Sequence, residues 1–401
     1  MEVDNPVHLF ESFNSKFGFN DDGFLTASST EQKYVEDLVQ VEFERVQKTN
    51  SLELLRHAHT EKLLNSLKSV GGNYATLDAS RPWMCYWTVH ALNILGAPIP
   101  AETKTAVTKF LKTCEDQNGG YGGGPGQYAH LATTYAAVMC LVSLKTEEAL
   151  ESIDLIQLAA FLKRMKQKDG SFTVQVGGEA DIRGAYTAVA VASVTGLMTP
   201  ELIDQTPEWI LLCQTYEGGF GGEPSVEAHG GYTYCGVAAM SLLGKFNMID
   251  TSRLIKWIAH RQMRFEGGFC GRVNKLVDGC YSFWQTGALV IATEELSKNE
   301  GSGISANSNL FNATMLQEYL LVACQDRRGG LCDKPDKKPD LYHSCYALSG
   351  LSLAQGQSLD VVGGTANKVN NICALFNVIS DAPKSAHAFF EKKLFKLTRK
   401  A

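Results

Sequence analysis

No apolar run in these 401 residues reaches the roughly 20 that a membrane-spanning helix needs, so no span is expected. The opening residues, MEVDNPVHLF, lack the basic start and apolar stretch of a secretory signal, which argues against export. Positive charge is in deficit: 37 Lys and Arg stand against 43 Asp and Glu, a net −6. That excludes bulk attraction to nucleic acid or to an anionic membrane as the basis of function, so any basic site must be local. A paired disulfide framework is missing too. The 11 cysteines are odd in number and scattered from Cys85 to Cys373, which fits the reducing cytoplasm.

Glycine is plentiful, 37 residues, and it arrives in clusters. The segments NGGYGGGPGQYAHLATTYAAVMCL, KDGSFTVQVGGEADIRGAYTAVAVASV, EGGFGGEPSVEAHGGYTYCGVAAMSLL, EGGFCGRVNKLVDGCYSFWQTGALVI and RGGLCDKPDKKPDLYHSCYALSGLSL repeat one pattern. A glycine pair leads through a variable loop to a tyrosine that opens an apolar run. An earlier copy, DASRPWMCYWTVHALNIL, lacks the glycine pair. Aligned on Tyr86, Tyr135, Tyr186, Tyr234, Tyr281 and Tyr346, the copies recur about every 50 residues, the last after a longer gap. Amphipathic stretches such as DLIQLAAFLKRMKQ and TSRLIKWIAHRQM separate them.

Each copy therefore predicts an amphipathic outer helix, a glycine turn and an apolar inner helix, an all-α chain of six hairpins. Such hairpins stack as an open solenoid or close into a ring around a cavity. The repeat occupies residues 61–355. Residues 1–60 form an N-terminal helical extension, and 356–401 a segment closing or flanking the repeats, with a basic tail. The polar insertion SKNEGSGISANSN is expected on the surface.

Three residues before each repeat tyrosine stand Trp83, Ala132, Arg183, Gly231, Asp278 and His343. If the copies are equivalent, these six meet around one mouth, with Asp278 and His343 as neighbours and Cys280 on the same turn. Carboxylate oxygen, thiolate sulfur and imidazole nitrogen are zinc ligands, and three of them leave the open position of a catalytic site. The competing reading makes Asp278 a helix cap, Cys280 a small core residue and His343 a partner of a carbonyl. The repeat tips the balance toward the metal. Arg272, Lys275, His229 and Tyr281, beside positive helix N-termini, form a local site for phosphate oxygens, although loop charges are often merely solvated. Trp83, Trp87, Tyr135, Tyr186, Tyr232, Cys235, Trp284 and Tyr346 are placed to wall a funnel for a long apolar chain, or to be ordinary core.

The motifs DGCYSFW, GRVNKLVDG, EAHGGYTYCG, LDASRPWMCYW and DLYHSCYALSG resemble the β subunits of protein prenyltransferases, most closely the farnesyltransferases, from about Leu77 to Gln355. The resemblance implies an α/α toroid with a central funnel, active as a heterodimer with an α subunit of helical repeats. It implies transfer of a farnesyl group from farnesyl diphosphate to the cysteine thiol of a C-terminal CaaX sequence, as on Ras-like small GTPases. Asp278, Cys280 and His343 would bind one zinc ion, and Asp333 a magnesium ion on the diphosphate. His229, Arg272, Lys275 and Tyr281 would hold the diphosphate; Arg183, Tyr186, Tyr232, Cys235 and Trp284 would line the isoprenoid pocket. Gly230, Gly231, Val273, Asn274, Ser282 and Phe283 belong to the same donor site. Catalysis would fall to Cys280, Asp278, His343, Tyr281 and Lys275.

By the same resemblance Trp83, Trp87 and Tyr342 would contact the aliphatic CaaX residues, with Ser80, His130 and Ala132 near the last one. Trp83 and Tyr346 match the bulky pair that closes the pocket floor in farnesyl enzymes. Asp333 stands where type I geranylgeranyl enzymes have a lysine. Thr133 departs from the proline of the family and would touch the final CaaX position. The alternative is the β subunit of a type I geranylgeranyltransferase. Terpene cyclases of the same fold need a D-x-D-D run, and none occurs here. A non-catalytic helical scaffold would explain the hairpins but not the Asp, Cys and His beside a basic cluster.

Overall fold

The computed structural model describes residues 24–49, 52–298 and 310–399. The polar insertion and the start of the N-terminal extension lie largely outside the described residues. Helix α1 (Ala27–Thr49) precedes six hairpins. Their outer and inner helices alternate: α2 (Arg56–Lys68) and α3 (Arg81–Leu95), α4 (Ala101–Thr113) and α5 (Leu131–Leu144), α6 (Leu155–Met165) and α7 (Ile182–Thr195). They continue with α8 (Thr206–Leu212) and α9 (Gly230–Leu242), α10 (Thr251–Ala259) and α11 (Tyr281–Ser297), α12 (Ala313–Ala323) and α13 (Leu341–Gln357). A short antiparallel hairpin, β1 (Ile372–Cys373) and β2 (Val378–Ile379), and helix α14 (Ala382–Thr398) follow.

Helix α6 shows why an outer helix forms. Asp154 caps it, accepting from the amides of Ile156 and Gln157, and Leu155, Leu158, Phe161, Leu162 and Met165 bury one stripe. Lys163 and Arg164 complement its C-terminal dipole. Inner helix α5 is apolar all round: it buries every residue except Ala132 and is stable only when enclosed. Each inner helix packs on the next, and α13 packs back on α3. Of the two arrangements open to the repeat, the ring is the one adopted.

Glycine placement follows from that closure. Gly119 has φ +88°, and a Cβ there would lie 2.0 Å from the Gln157 carbonyl of the next outer helix. Gly329, φ +93°, would meet the Ala58 carbonyl of α2 at 2.2 Å, where the last loop closes on the first hairpin. These turns require glycine for close backbone approach as well as for positive φ.

The segment Ala374–Asn377, between β1 and β2, plugs one end of the ring. Tyr86, Tyr135, Tyr186 and Tyr234 hydroxyls donate in turn to the carbonyls of Asn377, Phe376, Leu375 and Ala374, at 2.7, 2.9, 3.0 and 2.8 Å. The ring assembly thus runs from Arg56 to this plug, wider at both ends than residues 61–355, because α2 has no glycine pair to mark it and the plug shares none of the repeat. Tyr234→Phe removes a buried donor and is expected to cost about 1–3 kcal/mol, read as a lower urea midpoint; an unchanged midpoint would contradict the ladder's role.

Candidate functional site

The backbone sets a different register from the tyrosines. The amides of His130, His229, Asp278 and Asp340 donate to the carbonyls of Tyr121, Phe220, Phe269 and Leu331, so these four occupy equivalent places after the glycine pairs. Each also caps its turn: His130 Nδ1 accepts from Ala132, His229 Nδ1 from Gly231, Asp278 Oδ1 from Cys280 and Asp340 Oδ1 from His343. Asp278 is therefore equivalent to Asp340, not to His343, which corrects the tyrosine alignment. Tyr281 opens α11, whereas Tyr135 and Tyr234 lie a turn inside α5 and α9; Phe283 takes the matching place.

The corrected register still brings the predicted metal ligands together. Asp278, Cys280 and His343 each offer one ligand atom, all within 4.8 Å of one another. His343 Nε2 lies 3.3 Å from Asp278 Oδ1, and its Nδ1 lies 2.7 Å from Asp340 Oδ2. Asp340, which the sequence reading missed, thus holds the ring so that Nε2 faces the other two donors, the usual support for a metal-binding histidine. Its signal was an acid at a helix start, three residues before a histidine.

Burial opposes the imidazolium, yet Asp278 and Asp340 outweigh it and raise His343 to about 10. Asp278 is lowered although burial opposes this, because His343 bonds it. Burial and then Asp278 push the Cys280 thiol far above its usual range. Asp278, Cys280 and His343 could hold a metal ion between them, and carboxylate oxygen, thiolate sulfur and imidazole nitrogen are donor types that tetrahedral zinc accepts.

Beside this group lie the residues expected to hold the diphosphate, His229, Tyr281, Arg272 and Lys275. His229 Nδ1 accepts from Gly231, so its Nε2–H donates to the Tyr281 oxygen at 2.9 Å. The hydroxyl proton of Tyr281 is left to point elsewhere. Burial lowers His229 and keeps it neutral. Arg272 is ion-paired with Glu227 and half-exposed, on a loop where Val273, Asn274 and Lys275 are exposed and Asn274 has φ +57°. Gly230 donates its amide to the Gly271 carbonyl, joining the two loops. Ser282 is a correction: its hydroxyl donates to the Gly279 carbonyl at 2.5 Å and fills the α11–α13 contact, where a Cβ on Gly350 would lie 2.2 Å away. It is a helix-packing residue, not a face of the mouth. Asp333 pairs with Lys334, a second residue the sequence reading passed over.

Eight aromatic rings close a circuit inside the toroid. Ring centroids run from Tyr135 to Trp83 (5.7 Å), Trp87 (5.6 Å), Tyr342 (5.5 Å), Tyr346 (4.8 Å) and Trp284 (4.4 Å). They return through Tyr234 (5.3 Å) and Tyr186 (5.3 Å) to Tyr135 (5.5 Å). Trp83 and Tyr346 lie on different arcs of it, linked through Trp87 and Tyr342. Trp284 Nε1 donates to the Tyr342 hydroxyl at 3.1 Å. Phe283 packs behind, on Tyr234 and Tyr346. Tyr186 contributes its ring, while its hydroxyl belongs to the plug.

Arg183 pairs with Asp181 and lies 5.7 Å over the Tyr232 ring, with Cys235 buried nearby. Ser80, His130 and Ala132, all half-buried, stand at the starts of α3 and α5. Thr133 does not project toward them. Its hydroxyl donates to the Tyr121 carbonyl at 2.7 Å, turning it into the glycine loop instead of a peptide position.

Residues 54–378 match the model of the prenyltransferase alpha-alpha toroid domain. The protein farnesyltransferase subunit beta of Pisum sativum is 43% identical, over 78% of this chain and 89% of its own. Its counterpart from Arabidopsis thaliana is 39% identical, over 85% and 83%. The geranylgeranyl transferase type-1 subunit beta of Arabidopsis thaliana, at 34% identity over 58% of this chain and 60% of its own, is more distant. The fold is that of Candida albicans protein geranylgeranyltransferase-I solved with GGPP, with a TM-score of 0.70, 22% identity and coverage of 83% of this chain and 98% of that one. With a toroid domain across most of its length and these relatives, the chain belongs to the protein farnesyltransferase β-subunit family.

Proposed function

We propose that this chain, joined to an α subunit in the cytoplasm, transfers farnesyl from farnesyl diphosphate to the cysteine of a protein's C-terminal CaaX sequence. The carrying observation is one of position: a zinc-type donor set adjoins the Tyr281–His229 pair and a closed aromatic wall. Zinc held by Asp278, Cys280 and His343 would favour the thiolate form of the substrate cysteine at neutral pH. The sulfur forms its bond to C1 of the isoprenoid as the bond from C1 to the bridging oxygen breaks, and diphosphate departs. Tyr281 donates its free hydroxyl proton to that anion, and His229 fixes the phenol in place. Arg272 and Lys275 supply positive charge from the loop, Arg272 after giving up Glu227. Asp333 would supply oxygen ligands for a magnesium ion, which would offset charge on the departing diphosphate. The rings from Trp83 to Tyr346 enclose the isoprenoid and the aliphatic CaaX side chains.

Farnesyl transfer to a CaaX peptide by the heterodimer is the direct test. Trp83→Thr opens the wall beside Tyr135, and the ratio of kcat/KM for geranylgeranyl over farnesyl diphosphate should rise by about tenfold or more, since several methylenes gain room. Unchanged donor preference would count against the pocket; no transfer of either donor by the native heterodimer would overturn the function.

A further inference from the structure

The carboxylate assigned to magnesium already has a cation, and it comes from the next residue. Lys334 Nζ lies 2.5 Å from both oxygens of Asp333, with the lysine side chain 10% exposed and the aspartate 19%. The pair is built into the metal centre's support. The Asp333 carbonyl accepts from Gly279, between Asp278 and Cys280, at 2.7 Å, and from the Tyr319 hydroxyl at 2.9 Å. Asp278 and His343 act on the Asp333 carboxyl through space. A carboxylate gripped on both oxygens by an ammonium has lost the strongest acceptor directions that a small divalent ion requires. The ammonium itself is a compact point charge on a flexible stem, able to leave when a better-charged competitor arrives.

We propose that Lys334 is a placeholder cation: it occupies Asp333 until diphosphate and a divalent ion arrive together, and so sets the ion concentration at which that site fills. This rests on the reading of Asp333 as the magnesium ligand. It makes Lys334 a positioning residue that acts through Asp333. Asp333 keeps a positive partner throughout, because one cation replaces another.

The test is manganese binding to the zinc-loaded heterodimer with farnesyl diphosphate, followed by the electron paramagnetic resonance of free manganese at pH 8. Lys334→Met should tighten manganese roughly fivefold, the size that competition from a partly buried ion pair gives. Lys334→Arg, which restores the pair, should keep the native value, and Lys334→Gln carries the same expectation as methionine if that variant fails to assemble. Asp333→Ala should weaken manganese about tenfold or more. Failure of Asp333→Ala to weaken it would overturn the magnesium reading. Weakening by Asp333→Ala together with unchanged or weaker binding in both Lys334→Met and Lys334→Gln would overturn the placeholder alone.

Discussion

Cys280→Ala is expected to leave the heterodimer without stoichiometric zinc and to reduce farnesyl transfer to background. Three side chains make the donor set, and removing one leaves Asp278 and His343 to hold an ion through two. Structural zinc sites draw about 10–16 kcal/mol from their ligands, so losing one donor should weaken binding about a hundredfold or more. The protein need not unfold. Cys280 is buried at the start of α11, and alanine keeps the helix, the Asp278 cap on its amide and the Asp340 bond to His343. Without a cation, His343 stays protonated between its two acids, and nothing near the mouth ionises a substrate thiol. Metal emission per heterodimer and a transfer assay decide it. One zinc per heterodimer with native activity in this variant would sink the assignment.

Glu318→Gln is expected to stabilise the protein, and to do so only above mildly acidic pH. Glu318 lies within α12, 2% exposed, and its Oε1 has no hydrogen-bond partner. Burial pushes its carboxyl up to about 8. The sign follows from linkage: a folded-state pKa above the unfolded one favours the fold fully below the unfolded value of 4.5. That contribution is lost as pH rises from there to about 8. Across this window the loss is about 5 kcal/mol, at 1.36 kcal/mol per unit of separation. Glutamine has the same shape and no proton to lose. Melting temperatures of variant and native protein should nearly coincide at pH 5 and separate by several degrees at pH 8. Parallel curves at both pH values would refute it. Glu266, raised to about 7 by burial, adds a smaller trend of the same sign, moderated by Gln32, which donates to it at 2.9 Å.

Much of the site was legible because its residues announce their chemistry. Asp278, Cys280 and His343 are the ligand types zinc selects, and the repeat placed them at one mouth even though the tyrosine alignment matched Asp278 to His343 instead of Asp340. Part of the aromatic wall was legible for the same reason, since Trp83, Trp87 and Trp284 recur near the starts of apolar runs, while Tyr342 entered only through the family resemblance. Lys334 and Asp340 were not. Each looks like a solvated charge or an ordinary cap, and its importance lies in what it grips. Ser282 and Thr133 misled in the opposite direction. Both sit beside functional residues in sequence, but a helix turns successive side chains by about 100°, so one faces α13 and the other the glycine loop.

By itself the sequence determined the all-α hairpins, their number and the chemical character of the mouth, because periodicity and residue type govern which surfaces must be buried and which donors can bind metal or phosphate. Tertiary structure alone decided closure, register and the far end of the funnel. Closure depends on Gly329 meeting Ala58 across the whole chain. Register depends on backbone bonds such as Asp278 to Phe269, which place Phe283 where the letters suggested Tyr281. The floor depends on Tyr86, Tyr135, Tyr186 and Tyr234, of which Tyr135 and Tyr186 read as pocket lining, and all four share their hydroxyls with Ala374–Asn377, a segment with no trace of the repeat. A hydroxyl's partner is fixed by distance in three dimensions, and no spacing along the chain encodes it.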